Sequence, residues 1–322
     1  MEKEKPAFID ISLNILKRFN RPLIFDIYIK RTESDYTKLF NIGDQLDWER
    51  LKKYEDKNVT IFYVTAQDYK KYSLYVEKLG SVFRENKKSF TADEAQAIVK
   101  EMINLSMHEI IINQNIEESV LNQAANLIND CVGIIATNPK DMIKVVTLMS
   151  SKPYIFKHSI STSIFATLLG IASGIQNDKN LSILALGAFL HDVGESQMSF
   201  DPEEKNIFTP DERKEIYRHP SLGKQLLEGS KNIKQEVLDI VLQHHEQPNG
   251  HGYPNGIRDG EIYHPAKIVA IADTFASLIT KRAHREAMTT EEALQAMMSD
   301  VGKYDKILLR TFYDFFFPKP KK

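Results

Sequence analysis

Residues 181–195 read LSILALGAFLHDVGE. From Leu181 to Leu190 the segment is apolar on nearly every side, which predicts a helix buried in a core rather than one lying on a surface. It runs directly into His191-Asp192, with Gly194 just beyond as a stop signal. Two polar side chains therefore stand at the end of a core helix. Alone the pair is weak evidence, because a helix terminus with a satisfied imidazole explains it equally well.

A second polar intrusion is harder to set aside. Asp273 lies within Ala266-Lys267-Ile268-Val269-Ala270-Ile271-Ala272-Asp273-Thr274-Phe275-Ala276, an almost wholly apolar helical segment. A carboxylate buried there must be protonated, paired with a base or bound to a cation. His244 and His245 end another helical stretch whose stripe of Ile233, Val237 and Val241 runs into them at helical spacing. His158 sits one turn before Thr162 and two before Phe165. A lone histidine on an apolar face is more often a satisfied core side chain than a ligand. Here that explanation has to be repeated for several residues.

With His219 of His219-Pro220 the set becomes five imidazoles and two carboxylates, without a thiolate. Seven ligands exceed one tetrahedral zinc. They fit two ions sharing a bridging carboxylate, and mixed nitrogen and oxygen ligation suits iron, manganese or another first-row metal. Two such ions ~3.5–4 Å apart would acidify a bridging water and clamp the attacking and leaving oxygens of a phosphoryl centre. The reaction class this implies is phosphoester hydrolysis.

The histidines also divide the chain. Of nine, only His108 lies in residues 1–150. The N-terminal part reads instead as a small α/β unit. Phe25, Ile27 and Ile29 share one face of a candidate strand, Gly43-Asp44 marks a turn, and Asp47 is placed to cap a short helix through Tyr54. Val59 to Val64 reads as another strand, closed by Thr65 and a further helix. Thr91-Ala92-Asp93-Glu94 then has capping-box spacing, and every convincing segment beyond is helical. The expected architecture is mainly α: a small α/β domain over residues 1–88 and an all-helical domain over 89–322, with the motif core at 151–290. Breaks are expected at Gly133, Asn138-Pro139, Lys152-Pro153, Gly174, Asp201 to Pro210 and the Gly/Pro loop 248–265.

Composition narrows the function classes. The 322 residues carry 42 Lys+Arg against 44 Asp+Glu, a net charge of −2, with 42% hydrophobic residues. That balance lacks the field that a nucleic-acid polymer or an anionic membrane surface would need, but leaves a small anionic ligand allowed. The single cysteine, Cys131, cannot form an intrachain disulfide, and the N-terminal MEKEKPAFID has no signal-like apolar run, so a cytoplasmic location is expected. Ile164 to Ile175 is too short to span a membrane and reads as a buried helix. Lys319, Lys321 and Lys322 read as a solvated tail.

Taken together, His191-Asp192-Val193-Gly194, His219-Pro220, His244-His245-Glu246, Gly250-His251-Gly252-Tyr253-Pro254 and Asp273 in IADTFASL resemble the HD-GYP subgroup of the HD phosphohydrolase superfamily. The resemblance covers residues 158 to about 285. It implies an all-helical domain that opens cyclic di-GMP to the linear dinucleotide pGpG, and in some members to GMP, at an iron or manganese centre. Carried across by motif position, it implies that His158, His191, Asp192 and Asp273 hold one ion. Asp192, as the bridge, His219, His244 and His245 would hold the other, and the nucleophile would be a metal-bridging hydroxide. Trinuclear members carry a glutamate four residues before the first histidine; Tyr154 stands there, so two divalent ions are expected.

The family usually reads HDxGK, with the lysine facing the scissile phosphate, whereas this chain has Glu195 beside the catalytic Asp192. A reversed charge there should raise the barrier. A second reading follows: a weak or inactive member serving as a cyclic-dinucleotide receptor or protein-interaction module. A mononucleotidase of HD type fits the HHE and GYP elements less well. Arg282 and Arg285 sit where relatives place phosphate-contacting bases, and their planar forks suit the role. Gly252 and Tyr253 are candidate substrate contacts in a loop rich in Gly and Pro. His251, His264 and His284 are read as non-ligands. The N-terminal domain or the GYP loop is the expected place for a protein partner or regulatory signal.

Overall fold

The computed structural model describes residues 8–13, 15–16, 22–32, 35–57, 59, 61–86, 89–112, 121, 124, 154–205, 207–282 and 285–318. Cys131, His284, the lysines of the tail and the breaks expected at 133, 138–139 and 152–153 lie outside these residues. By internal contacts the chain divides into Met1–Leu105 and Ser106–Lys322.

In the first unit four strands form one antiparallel sheet: β1 (Phe8–Ile11), β2 (Ile27–Thr32), β3 (Asp35–Phe40) and β4 (Phe62–Thr65), in the order β1-β4-β2-β3. Alternation sets which face is buried: Ile27 and Ile29 of β2 and Phe62 and Val64 of β4 are all inaccessible or nearly so. Two helices belong to the predicted pattern. α1 (Trp48–Glu55) is capped by Asp47, whose carboxylate accepts from Arg50 N, and α2 (Ala66–Glu85) by Thr65, whose hydroxyl accepts from Asp68 N. Tyr72, Val76, Leu79 and Phe83 recur at helical spacing on α2 and are buried.

α3 (Ala92–Met107) starts with the capping box read from the sequence. Thr91 N donates to Glu94 Oε2 at 2.8 Å, and Glu94 N donates back to Thr91 Oγ1 at 3.3 Å. Its buried Glu101 accepts a 2.6 Å hydrogen bond from the Tyr72 hydroxyl, which ties α3 to α2. The contact division thus lies beyond the sequence boundary at 88/89 by the length of α3.

The second unit is helical among its described residues. Its elements are α4 (Tyr154–Ala172), α5 (Asp178–Leu190), α6 (Pro210–Leu227), α7 (Gln235–Gln243), α8 (His264–Ile279), α9 (Thr290–Ser299) and α10 (Lys306–Phe316). α4 and α5 have apolar residues all round and form the centre, with α8 against α4 and α7 against α5. Phe165 of α4, Phe275 of α8 and Phe312 of α10 meet edge to face, with ring centroids 4.9–6.3 Å apart. Among the described residues no helix is long and apolar enough to cross a membrane. The expected buried helix at 164–175 is the C-terminal half of α4, which stops at Ala172 before Gly174 at φ +98°.

Candidate metal centre

Five helix segments bring the seven candidate ligands to one place. His158 lies within α4, His191 caps α5 at its C-terminus with Asp192 next in chain, His219 lies within α6, His244 caps α7 and is followed by His245, and Asp273 lies within α8. All are buried except His245, which is about a quarter exposed. Gly194 makes the approach possible: a Cβ there would meet His219 O at 2.1 Å and Gly223 N at 2.6 Å. The turn carrying Asp192 therefore rests directly on the backbone of α6.

The two oxygens of Asp192 face different pairs of imidazoles. Oδ2 lies 2.9 Å from His191 Nε2 and 3.3 Å from His158 Nε2, while Oδ1 lies 3.3 Å from His219 Nε2 and 3.6 Å from His244 Nε2. Asp273 Oδ1 is 3.0 Å from His158 Nε2, and its Oδ2 is 3.9 Å from His245 Nδ1. The ligand atoms fall into two groups, His158 with His191 and Asp273, and Asp192 with His219, His244 and His245, each within 4.8 Å. One carboxylate between two such groups is the arrangement expected of a bridge.

Ring orientation is set by backbone carbonyls that have lost their helical partners. His191 Nδ1 lies 2.8 Å from Ala188 O and His244 Nδ1 lies 2.8 Å from Val241 O; both carbonyls belong to the last turn of a helix, where they have no amide to accept from. His219 is inside a helix, yet its Nδ1 lies 2.8 Å from Ile216 O. Pro220 explains this. Ile216 is four residues before it, and a proline has no N–H to donate, so the carbonyl is left for the imidazole. With Nδ1–H donating in each ring, Nε2 carries the lone pair.

Those lone pairs point at one another. His219 and His244 Nε2 are 3.1 Å apart, and His158 and His191 Nε2 are 3.3 Å apart. Neutral rings in these tautomers repel, so each pair needs a cation between its nitrogens. The donor set therefore fits two metal ions. Without metal, protons take that place. Burial opposes charge on His158, but Tyr154, Asp192 and Asp273 outweigh it and hold the ring well above the ordinary imidazole range. His219 is likewise raised, its bond to Asp192 outweighing burial. Burial pushes His244 down, and burial with the neighbouring His244 and His219 charges pushes His245 well down. Both aspartates lie below the usual carboxylate range, because the imidazoles outweigh the burial that opposes their charge.

A measurable consequence follows for metal uptake. Raised histidines hold protons that an incoming cation must displace, so loading should release about two protons per chain. Affinity should rise with pH until the raised His158 and His219 values are passed, by roughly a decade per pH unit for each proton displaced. Titration with Mn²⁺ in weakly buffered solution at several pH values measures both. Pro220→Ala is a second test. It returns an amide to Ile216 O, so the helix gains while the His219 ring loses its acceptor. Metal-free protein should melt no lower, and metal affinity should fall about tenfold.

A profile of the HD domain family matches residues 145–308, half of the chain. The chain belongs to the HD domain family. It is 26% identical over 192 residues to a cyclic di-GMP phosphodiesterase of Pseudomonas aeruginosa, covering 59% of this chain and 46% of that one. It is 35% identical over 129 residues to a cyclic di-GMP phosphodiesterase response regulator of Xanthomonas campestris pv. campestris, covering 39% and 34% respectively. The chain thus spans less than half the length of these relatives. Among solved structures, an HDG"Y"P protein from Bdellovibrio bacteriovorus matches with a TM-score of 0.73 and 24% identity, over 96% of this chain and 99% of that one, which shows a shared fold.

In this HD domain the His-Asp pair is the one at the end of α5, and the loop after His245 carries the GYP element. Glu246 is the residue the motif reading left without a role. Its buried carboxylate accepts from Asn255 N at 2.7 Å and Ile257 N at 3.1 Å, which ties the loop to the end of α7. Gly252 packs on backbone: a Cβ would meet Gln247 N at 2.4 Å and His245 O at 2.5 Å. Tyr253 lies between His245 and Tyr217, each ring 4.6 Å away, and so walls one side of the cluster. A buried glutamate one residue after a histidine pair was the available signal for the loop anchor.

The remaining predicted residues are also placed. Glu195 follows the His-Asp turn, and burial, with the Asp192 carboxylate beside it, pushes its carboxyl up to about 8. Arg282 Nη1 is 3.3 Å from Glu203 Oε1, and Nη2 donates to the Tyr154 hydroxyl. Arg285 Nη2 donates to Ser277 O. His251 and His264 are absent from both ligand groups.

Proposed function

We propose that this chain hydrolyses the phosphodiester of a cyclic dinucleotide, with cyclic di-GMP as substrate and the linear dinucleotide pGpG as product. One observation carries the reading: each oxygen of Asp192 faces its own pair of imidazoles, and all four rings are buried. His158, His191, Asp192 and Asp273 would hold one divalent ion, and Asp192, His219, His244 and His245 the other, iron or manganese by ligand type. Such a pair supplies an acidified water and charge neutralisation for an in-line displacement at phosphorus.

The protein's own contribution is orientation and exclusion of water. Carbonyls of Ala188, Ile216 and Val241 fix three rings before any ion arrives, so little reorganisation remains at the moment of reaction. Tyr253 and the loop held by Glu246 close one flank of the cluster. Arg282 offers a planar donor fork to phosphate once it exchanges Glu203 for substrate. The 1–88 domain is assigned a regulatory or partner-binding role.

The named phosphodiesterase relatives support the substrate class, and the two-group ligand geometry supports the chemistry. The test is product chromatography with metal-loaded protein, comparing cyclic di-GMP with mononucleotides, alongside elemental analysis of anaerobically purified protein. About two equivalents of metal and accumulation of pGpG are expected. Loaded protein that binds cyclic di-GMP but leaves it intact would move the assignment to the receptor reading, and cleavage of mononucleotides alone to a nucleotidase.

A further inference from the structure

Three of the candidate rings borrow a backbone carbonyl vacated by a helix end or by a proline. His158 has neither. It lies inside α4, a full turn from its start at Tyr154, with no proline after it in that helix. Its Nδ1 therefore needs an acceptor that is not backbone. The Tyr154 hydroxyl supplies one: Oη lies 3.2 Å from His158 Nδ1, and the two rings stack with centroids 5.2 Å apart at 12°. Four residues earlier on the same helix is where a side chain leaning toward the N-terminus meets its neighbour.

The phenol is itself held. Arg282 Nη2 donates to Tyr154 Oη, and the guanidinium carbon lies 4.4 Å from the centroid of the tyrosine ring. A phenolic oxygen has two lone pairs, one for the arginine and one for the Nδ1–H of His158. With both donors in place, the ring of His158 is fixed with Nε2 toward Asp192 and Asp273, at 3.3 and 3.0 Å. Arg282 in turn lies against Glu203. A line of contacts thus runs from Glu203 through Arg282 and Tyr154 to one of the two ligand groups.

We infer that Tyr154 is a positioning residue for that group: its hydroxyl selects the tautomer of His158 that can bind an ion, with Arg282 holding the hydroxyl in place. This rests on the metal-centre reading above. It also gives the position a use that a carboxylate ligand would not, since the phenol acts through His158 rather than touching an ion.

Tyr154→Phe removes only the hydroxyl and keeps the stack. In a Mn²⁺ titration, one of two binding steps should weaken about 10–100-fold while the other is unchanged. Zn²⁺-loaded protein carrying ¹⁵N-histidine should show the His158 Nδ1–H signal in the wild type and lose it to solvent exchange in Tyr154→Phe. Metal-free Tyr154→Phe loses the side-chain hydrogen bonds of the hydroxyl and should melt slightly below the wild type, whereas a merely structural role would lower the melting temperature and weaken both binding steps alike. Tyr154→Gln, which restores a carbonyl acceptor, should recover part of the lost affinity. Two unchanged Mn²⁺ steps and a retained Nδ1–H in Tyr154→Phe would overturn the inference alone. Wild-type protein that takes up no metal would overturn the metal-centre reading, and this inference with it.

Discussion

Asp192→Asn should empty at least one of the two metal sites and remove most of the turnover. The substitution keeps the shape of the side chain but replaces the carboxylate whose two oxygens face separate imidazole pairs. Anaerobically purified variant should hold at most one equivalent of metal, and hydrolysis of cyclic di-GMP should fall at least ~1000-fold, about 4 kcal/mol of lost transition-state stabilisation. Metal-free protein suffers as well. Asp192 sits well below its ordinary value of 3.8, so its contribution to stability is present above that value and is lost only as pH falls through the depressed folded value. Removing one partner of a buried ion pair costs roughly 3–5 kcal/mol, less whatever is recovered when His158 and His219 give up their protons. Melting curves at pH 7 should show this deficit, and it should close in strong acid. Variant protein that retains two equivalents of metal would contradict the bridging assignment.

The legibility of this centre followed from the hydrophobicity of its supports. Leu181 to Leu190 is apolar all round, so whatever ended that helix had to be buried, and the same argument reached Asp273 through the apolar run before it. These are local patterns. What stayed hidden depends on groups that carry no side-chain signature or on long-range pairing. Ile216 O becomes available to His219 only because Pro220 lacks an amide, and a carbonyl leaves no mark in composition. The hydroxyl of Tyr154 read as a missing carboxylate and not as an acceptor for the ring four residues on. Glu246 was visible as part of a motif, but its partners at Asn255 and Ile257 depend on how the loop turns back. In the N-terminal unit, Phe25, Ile27 and Ile29 announced β2 by alternation. β1 and β3 carry polar or half-buried residues along most of their length and gave no comparable signal.

Glu195→Lys separates a working hydrolase from a receptor. In the metal-free chain, burial and the Asp192 carboxylate push Glu195 up to about 8, so the side chain is mostly neutral at pH 7. Divalent ions held by Asp192 and its imidazoles would favour the ionised form of Glu195 and pull that value down, so the loaded site would present a negative charge to an incoming phosphodiester. At an effective dielectric near 20, one unit charge ~5 Å from the phosphate is worth about 3 kcal/mol. Lysine removes the repulsion and adds an attraction; discounted for solvent at the mouth of the site, kcat/KM for cyclic di-GMP should rise roughly 100-fold. Where the gain falls is informative. An ammonium that contacts phosphate equally in ground and transition states lowers KM alone, whereas one aimed at charge developing on the leaving oxygen raises kcat. Glu195→Gln removes the repulsion without the attraction and should give an intermediate value. If Glu195→Lys binds cyclic di-GMP more tightly yet still leaves it intact, position 195 governs capture and not chemistry, and the receptor reading becomes the better account of this chain.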